Sequence, residues 1–88
     1  MSKPPNKIDE ANVLFWAWSG LIPFGKVGDK DIYGLAICQY ENSNEVYRFS
    51  CDKHWETQQD GLYDSVEKAK KLLPAQYKNV LASWIIFD

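Results

Sequence analysis

A thiol and an imidazole occur close together in this sequence, at Cys51 and His54. A cysteine beside a histidine is the minimum set for nucleophilic catalysis, because the imidazole can remove the thiol proton. The alternation of residues around Cys51, however, places its side chain on the same face as Phe49, and a thiol buried among apolar groups is unreactive. His54 is the chain's one histidine, so no second imidazole could act as a base. We therefore expect no catalytic residues and no enzyme activity.

The same side chains are too few for a structural zinc site, which needs four ligands, usually Cys and His. Cys38, Cys51 and His54 supply at most three. A metal or a disulfide between the two cysteines is geometrically conceivable if both lie on one face of a hairpin, but buried cysteines most often act as packed thiols. The acidic residues at 29–31 lack the spacing of a calcium loop, and the glycines match no nucleotide-binding motif. We expect no metal and no cofactor.

The polar segment from Asp52 to Asp64 is the strongest candidate for a binding site. It is long for a connection between a strand and a helix, usually about 2 to 6 residues, and long loops often carry function. Trp55 lies among acidic and amide side chains, a composition typical of an interface hot spot. The predicted protein-binding residues are Trp55, Glu56, Gln58, Gln59, Asp60 and Tyr63. The alternative is that Trp55 folds back as a lid over the end of the core.

A second apolar segment, at residues 21–24, allows two interpretations. Its Leu, Ile, Pro and Phe side chains could fill the bottom of the core, which is the more common fate of such residues. They could also form an exposed apolar patch that marks a partner site.

The elements that would position these residues are read from side-chain periodicity. Strands are predicted at residues 13–18, 32–41, 46–52 and 82–87. One helix is predicted to begin at Asp64, with Glu67 completing a capping box, and to end near Leu73, before Pro74. The predicted fold class is α+β: a small four-stranded, mainly antiparallel sheet with one helix packed on one face, in the order β-β-β-α-β.

The central hairpin is predicted in some detail. Asn and Ser at its turn favour closure at residues 42–45, which sets Cys38 opposite Phe49 and Tyr40 opposite Tyr47. The two faces then differ in composition. The predicted core face carries Ala36, Cys38, Tyr40, Tyr47, Phe49 and Cys51, and the opposite face carries Leu35, Ile37, Gln39, Val46, Arg48 and Ser50.

Length and composition indicate one domain. With 88 residues, of which 45% are hydrophobic, the chain can form one modest core. We predict a flexible N-terminal arm at residues 1–11, which is polar and contains two prolines, and a single domain at residues 12–88. The N-terminus lacks the features of an export signal, no apolar run is long enough to span a membrane, and two cysteines do not make a disulfide framework. We therefore expect a cytoplasmic protein with reduced thiols and no membrane partner.

Charge gives little support for nucleic-acid binding. The net charge is -2, and Arg48 is the one arginine among ten basic residues, whereas recognition of phosphate or guanine usually relies on arginine.

In its size, its mild acidity and its lack of a set of catalytic residues, the chain is similar to small bacterial immunity and inhibitor proteins, which bind and block a toxin. This resemblance is one of general character, with no shared motif. The predicted function is a non-catalytic module that binds another protein. The alternatives are a homo-oligomeric structural domain, such as a homodimer joined through an apolar edge at residues 13–18, and a domain that binds a small molecule in an aromatic pocket between helix and sheet.

Overall fold

Strands make up 46% of the computed structural model, which describes residues 3–74, 77 and 81–88. The elements are β1 (Lys7–Ile8), β2 (Ala11–Trp18), β3 (Gly25–Val27), β4 (Lys30–Ile32), β5 (Gly34–Gln39), β6 (Val46–Cys51), β7 (Thr57–Tyr63), α1 (Val66–Lys71) and β8 (Ile85–Ile86). Strands β1-β2-β5-β6-β7 form one curled sheet in that order, and β8 also pairs with β2. Strands β3 and β4 form a separate hairpin. Every pairing is antiparallel.

The predicted α+β class, with four strands and a covering helix, is therefore wrong. The structure is mostly β and has one short helix among its described residues. The prediction failed mainly at β7, because glutamine, aspartate and glycine have low intrinsic strand propensity. Pairing with β6 along Val46–Cys51 holds this segment extended all the same.

The N-terminal segment expected to be a flexible arm contributes β1 to the sheet. Ile8 pairs with Ala11, so Asp9 and Glu10 form a two-residue turn, with φ of 49° and 70°. Such turns need positive φ at both central residues and usually contain Asn-Gly or Asp-Gly. Because the sequence here is Asp-Glu, without a glycine, the sequence pattern does not predict this turn.

The alternative of an apolar edge strand at residues 13–18 does not fit the pairing of this strand. Strand β2 pairs with β5 on one side and with β1 and β8 on the other. It is thus an interior strand, which agrees with the apolar side chains on both its faces.

The central hairpin has the predicted faces but not the predicted register. Cys38 lies opposite Tyr47, and Ala36 lies opposite Phe49. The register differs by two residues because Tyr40 leaves the strand and accepts the Ser43 N–H in the loop, at 3.3 Å. A shift of two residues preserves the face of every side chain, so the prediction of the faces is confirmed.

Both faces of the curled sheet are buried. The inner face is defined by one cluster, formed by Ile8, Ala11, Val13, Trp16, Ala36, Cys38, Phe49 and Cys51. The outer face carries two further clusters, formed by Ala17, Phe24, Ile32, Leu35 and Tyr77, and by Ile37, Val46 and Ala69. Helix α1 covers part of the outer face and packs against β5, β6 and β7.

The helix begins one residue later than predicted. Ser65, rather than Asp64, is the N-cap, and its hydroxyl accepts the Lys68 N–H at 3.1 Å. Asp64 instead forms an ion pair with the Lys68 ammonium group at 3.2 Å. The helix ends at Lys71, earlier than expected, and its carbonyls are bound by Arg48. The Arg48 Nη1 donates to the oxygens of Leu72 at 3.0 Å and Ala69 at 3.4 Å.

In the apolar segment at residues 21–24, one part fits the core interpretation and another part fits the exposed patch. Phe24 is fully buried in the outer-face core, as core filling requires, whereas Leu21 is 99% exposed and Ile22 is 58% exposed. In the part of the chain that the structure describes, no helix is long and apolar enough to cross a membrane.

Candidate functional site

A groove of about 680 Å³ lies between β1 and the start of β7. The curl of the sheet brings its two end strands to opposite sides of this groove. The lining residues are Pro5, Lys7, Ile8, Asp9, Trp55, Glu56, Thr57, Gln58, Gln59 and Asp60. Five of the six residues predicted to bind protein are among them; the sixth, Tyr63, is not.

A tight turn at residues 52–56 sets the floor of the groove. The Asp52 carboxylate accepts the backbone N–H groups of His54 at 2.9 Å and Glu56 at 3.0 Å. Trp55 N–H donates to the Asp52 oxygen at 3.0 Å, and Asp52 N–H donates to the Glu56 oxygen at 3.0 Å. These four bonds hold Trp55 in the left-handed region, at φ 63°. That conformation is unfavourable for a bulky residue and persists only where the surroundings impose it.

The Trp55 indole packs on the end of the inner-face core. Its ring centroid lies 6.4 Å from that of Trp16, edge to face, and 5.7 Å from that of Trp18. A Cβ added at Gly34 would lie only 2.5 Å from Cζ3 of Trp55, so this close approach requires glycine. The indole therefore covers the end of the core as a lid, which was the alternative interpretation of Trp55. Its half-buried ring also lines the groove.

Strand β7 forms one wall of the groove and contains a bulge at Gln58. Ser50 pairs with Gln59 and Cys51 pairs with Thr57, which leaves Gln58 as the extra residue. Its side-chain amide donates to the Asp52 carboxylate at 3.4 Å and to the Glu56 carbonyl oxygen at 3.3 Å. A bulge of this kind redirects the strand end and its side chains. Here it joins the turn beneath Trp55 to the wall of the groove.

The groove is acidic. Asp9, Glu56 and Asp60 contribute three carboxylates and Lys7 one ammonium group, which gives a formal charge of -3 + 1 = -2. Neither of the ion pairs found among the described residues involves these four groups. Such an arrangement attracts a cationic ligand.

Tyr63 lies apart from the other predicted residues. Its ring stacks under the Arg48 guanidinium, 4.9 Å from the ring centroid, and its hydroxyl donates to the Leu72 carbonyl oxygen at 3.4 Å. It therefore takes part in the packing of the helix rather than in the groove.

Cys51 and His54 lie in contrasting environments. Cys51 and Cys38 are fully buried and free of disulfide bonds, and burial raises the pKa of each thiol to about 12. At neutral pH both thiols are thus protonated, whereas His54 is exposed. Among the described residues, no group of three or more His, Cys, Asp or Glu side chains is placed to hold a metal ion.

Sequence reasoning missed the β1 side of the groove, formed by Pro5, Lys7, Ile8 and Asp9. The available signal was the isolated Ile8 in a polar segment, followed by Asp9, which tolerates positive φ.

Comparisons with protein-family models, with curated proteins and with solved structures gave no match.

Proposed function

We propose that this protein is a non-catalytic, cytoplasmic module that binds another protein through the groove between β1 and β7. One observation carries the proposal: the sheet gathers an aromatic anchor, Trp55, and a rim of polar and acidic side chains into one open depression. Anchors of this type, surrounded by polar groups that exclude water, dominate the binding energy of protein interfaces.

The composition of the groove favours a protein over a small molecule. Seven of its ten lining residues are polar or charged, whereas small-molecule sites are mostly apolar and enclose the ligand. An acidic groove suits a basic surface on the partner. An inhibitor or immunity-type role, in which the groove covers a basic site on a toxin, is the specific form that we propose.

Two features support the non-catalytic and cytoplasmic parts of the proposal. A thiol with a pKa of about 12 is a poor nucleophile at neutral pH, because the reactive species is the thiolate. The two unpaired thiols of Cys38 and Cys51 fit a reducing compartment, where disulfides are rare.

The test compares groove variants with a variant outside the groove. The tagged protein is used to isolate and identify its partner from the native cell, and the affinity of the purified pair is then measured. Asp60→Lys is expected to weaken binding by more than about tenfold, because it reverses one charge in the groove. Trp55→Ala should cost about 2 kcal/mol of binding free energy if the indole is an anchor.

Glu67→Lys is the matched control, since it makes the same change of charge on exposed helix α1. Circular dichroism of each variant separates loss of binding from loss of fold. Equal partner affinity for the wild type, Asp60→Lys and Trp55→Ala would show that the groove is not the contact surface.

A further inference from the structure

The groove is bordered by two free strand edges. In the sheet order β1-β2-β5-β6-β7, strands β1 and β7 are the end strands, and the described part of the chain pairs nothing with their outer edges. Every second residue of such an edge directs its backbone N–H and C=O away from the sheet. Both end strands also contribute residues to the lining of the groove, Lys7 and Ile8 from β1 and residues 57–60 from β7.

Strand β7 is long enough to act as a template. It has seven residues, Thr57–Tyr63, whereas β1 has two. An extended peptide can add to an exposed edge of this kind, with backbone hydrogen bonds giving affinity and alternate side chains giving specificity. Helix α1 packs near the far end of β7, so the half that begins at Thr57 borders the groove.

The side chains of β7 indicate the chemistry of an added strand. Asp60 lies opposite Phe49 and therefore points to the inner face of the sheet. Asp9 lies across the groove from it. Alternate residues of an added strand would point to the same inner face and would meet these two carboxylates.

A second copy of this chain fits the edge poorly. Two antiparallel β7 strands paired through their groove-lining halves would bring Asp60 of each copy close to Glu56 of the other, and like charges on adjacent strands are destabilising. Polar and charged residues on an edge strand protect a protein against such self-association.

We infer that the groove takes an extended, basic segment of the partner, which pairs with β7 as an additional strand and directs alternate Lys or Arg side chains toward Asp9 and Asp60. This inference rests on the proposed protein-binding function. The added strand pairs with β7 alone and extends the curled sheet on the side of β7 that borders the groove. Arginine is the best match, because its guanidinium can bind a carboxylate through two hydrogen bonds.

The experiment uses the full chain and a capped eight-residue peptide of alternating Arg and Thr. Binding is followed by NMR titration, and strand pairing by hydrogen exchange of the β7 amides. We expect saturable binding, at least tenfold slower exchange in β7, and at least tenfold weaker binding to Asp60→Lys than to the Glu67→Lys control. A peptide with Glu in place of Arg is expected to bind at least tenfold more weakly.

Two backbone-methylated peptides test the strand itself. One carries N-methyl groups on all the Arg residues and the other on all the Thr residues. In an added strand the N–H groups of one set point at β7, so one peptide should lose at least tenfold in affinity and the other should retain it.

Several results would overturn the inference. Among the peptides, these results are equal affinity of the two methylated peptides, equal affinity of the Arg and Glu peptides, and no binding of the Arg peptide at millimolar concentration. In hydrogen exchange, they are binding of the Arg peptide without protection of the β7 amides, and protection of these amides that rises with protein concentration alone. None of these decides the proposed function, which is judged by the affinity of the isolated partner for the groove variants. If the groove variants lose affinity for the partner but the β7 amides stay unprotected, the groove binds protein through its side chains only.

Discussion

The two faces of the β5–β6 hairpin are both buried, but they are built in different ways. The inner face packs two thiols, Cys38 and Cys51, and the aromatic ring of Phe49, and it ends at the half-buried Trp55 beside the groove. The outer face buries two polar side chains, Arg48 at 4% exposure and Ser50 at 1%. A buried polar group is costly unless it is hydrogen-bonded.

The hydrogen bonds of the outer face fix the helix and Tyr77 to the sheet. Arg48 binds the Leu72 and Ala69 oxygens, and the Tyr77 hydroxyl donates to the Ser50 hydroxyl at 2.7 Å. The inner face depends instead on packing and on the turn that holds Trp55. One face thus fixes the architecture by directional hydrogen bonds, while the other leaves an open rim that is available to a ligand.

The largest effect is expected at Arg48. Arg48→Ala removes two hydrogen bonds to the end of the helix and the stacking on Tyr63. It also takes the Arg48 donor away from the buried Ala69 carbonyl oxygen. We expect the free energy of unfolding to fall by about 3 kcal/mol, measured by urea denaturation. The exposed Lys71→Ala serves as control and should change stability by less than about 0.5 kcal/mol. A small loss for Arg48→Ala would remove the contrast between the faces.

The inner face should respond to alkaline pH. The folded pKa of Cys38 and Cys51 is about 12, against an ordinary value of 9.0. The folded state therefore keeps protons that the unfolded chain loses above pH 9, so stability falls as pH rises from about 9 toward 12. Between about pH 8 and pH 10 each thiol should lower the free energy of unfolding by roughly 1.4 kcal/mol.

Urea denaturation at the two pH values tests this effect. The double variant C38A/C51A is the control and should lose less stability over the same interval, because it lacks both thiols. An equal loss in the variant and the wild type would assign the pH dependence to other groups.

A smaller effect is expected at the second polar contact of the outer face. Tyr77→Phe leaves the buried Ser50 hydroxyl without the donor it has in the native structure, so we expect a loss of about 1 kcal/mol. A double-mutant cycle with Ser50→Ala isolates the contact. A coupling energy near zero would mean that the two hydroxyls act independently.

Side-chain alternation predicted the faces of the hairpin correctly, because burial of one residue in two leaves a clear pattern. It could not predict the register, since Tyr40 has a strong strand propensity and yet belongs to the loop. Strand β7 was missed for the opposite reason: Gln59, Asp60 and Gly61 carry no strand pattern, and tertiary pairing with β6 alone makes them extended.

The groove was predicted in part. Composition identified the wall that contains Trp55 and Asp60, because an aromatic side chain among acidic residues is conspicuous. The opposite wall depends on the turn at Asp9, whose Asp-Glu sequence is unusual for such a turn, and on the curl of the sheet, which arises from contacts between distant residues. Tyr63 was assigned to the same surface because a loop was expected, whereas strand β7 carries it beyond Asp60, the last residue of β7 that lines the groove.

The burial of Arg48 also determines how the chain can be cut. Arg48 is the one arginine of the sequence and lies within strand β6, at 4% exposure. An arginine-specific protease has one peptide bond to cleave, and that bond lies inside the sheet, so cleavage must wait until the strand opens. The appearance of two fragments thus reports the opening of β6, and it gives the rate of opening when the protease cleaves faster than the strand closes.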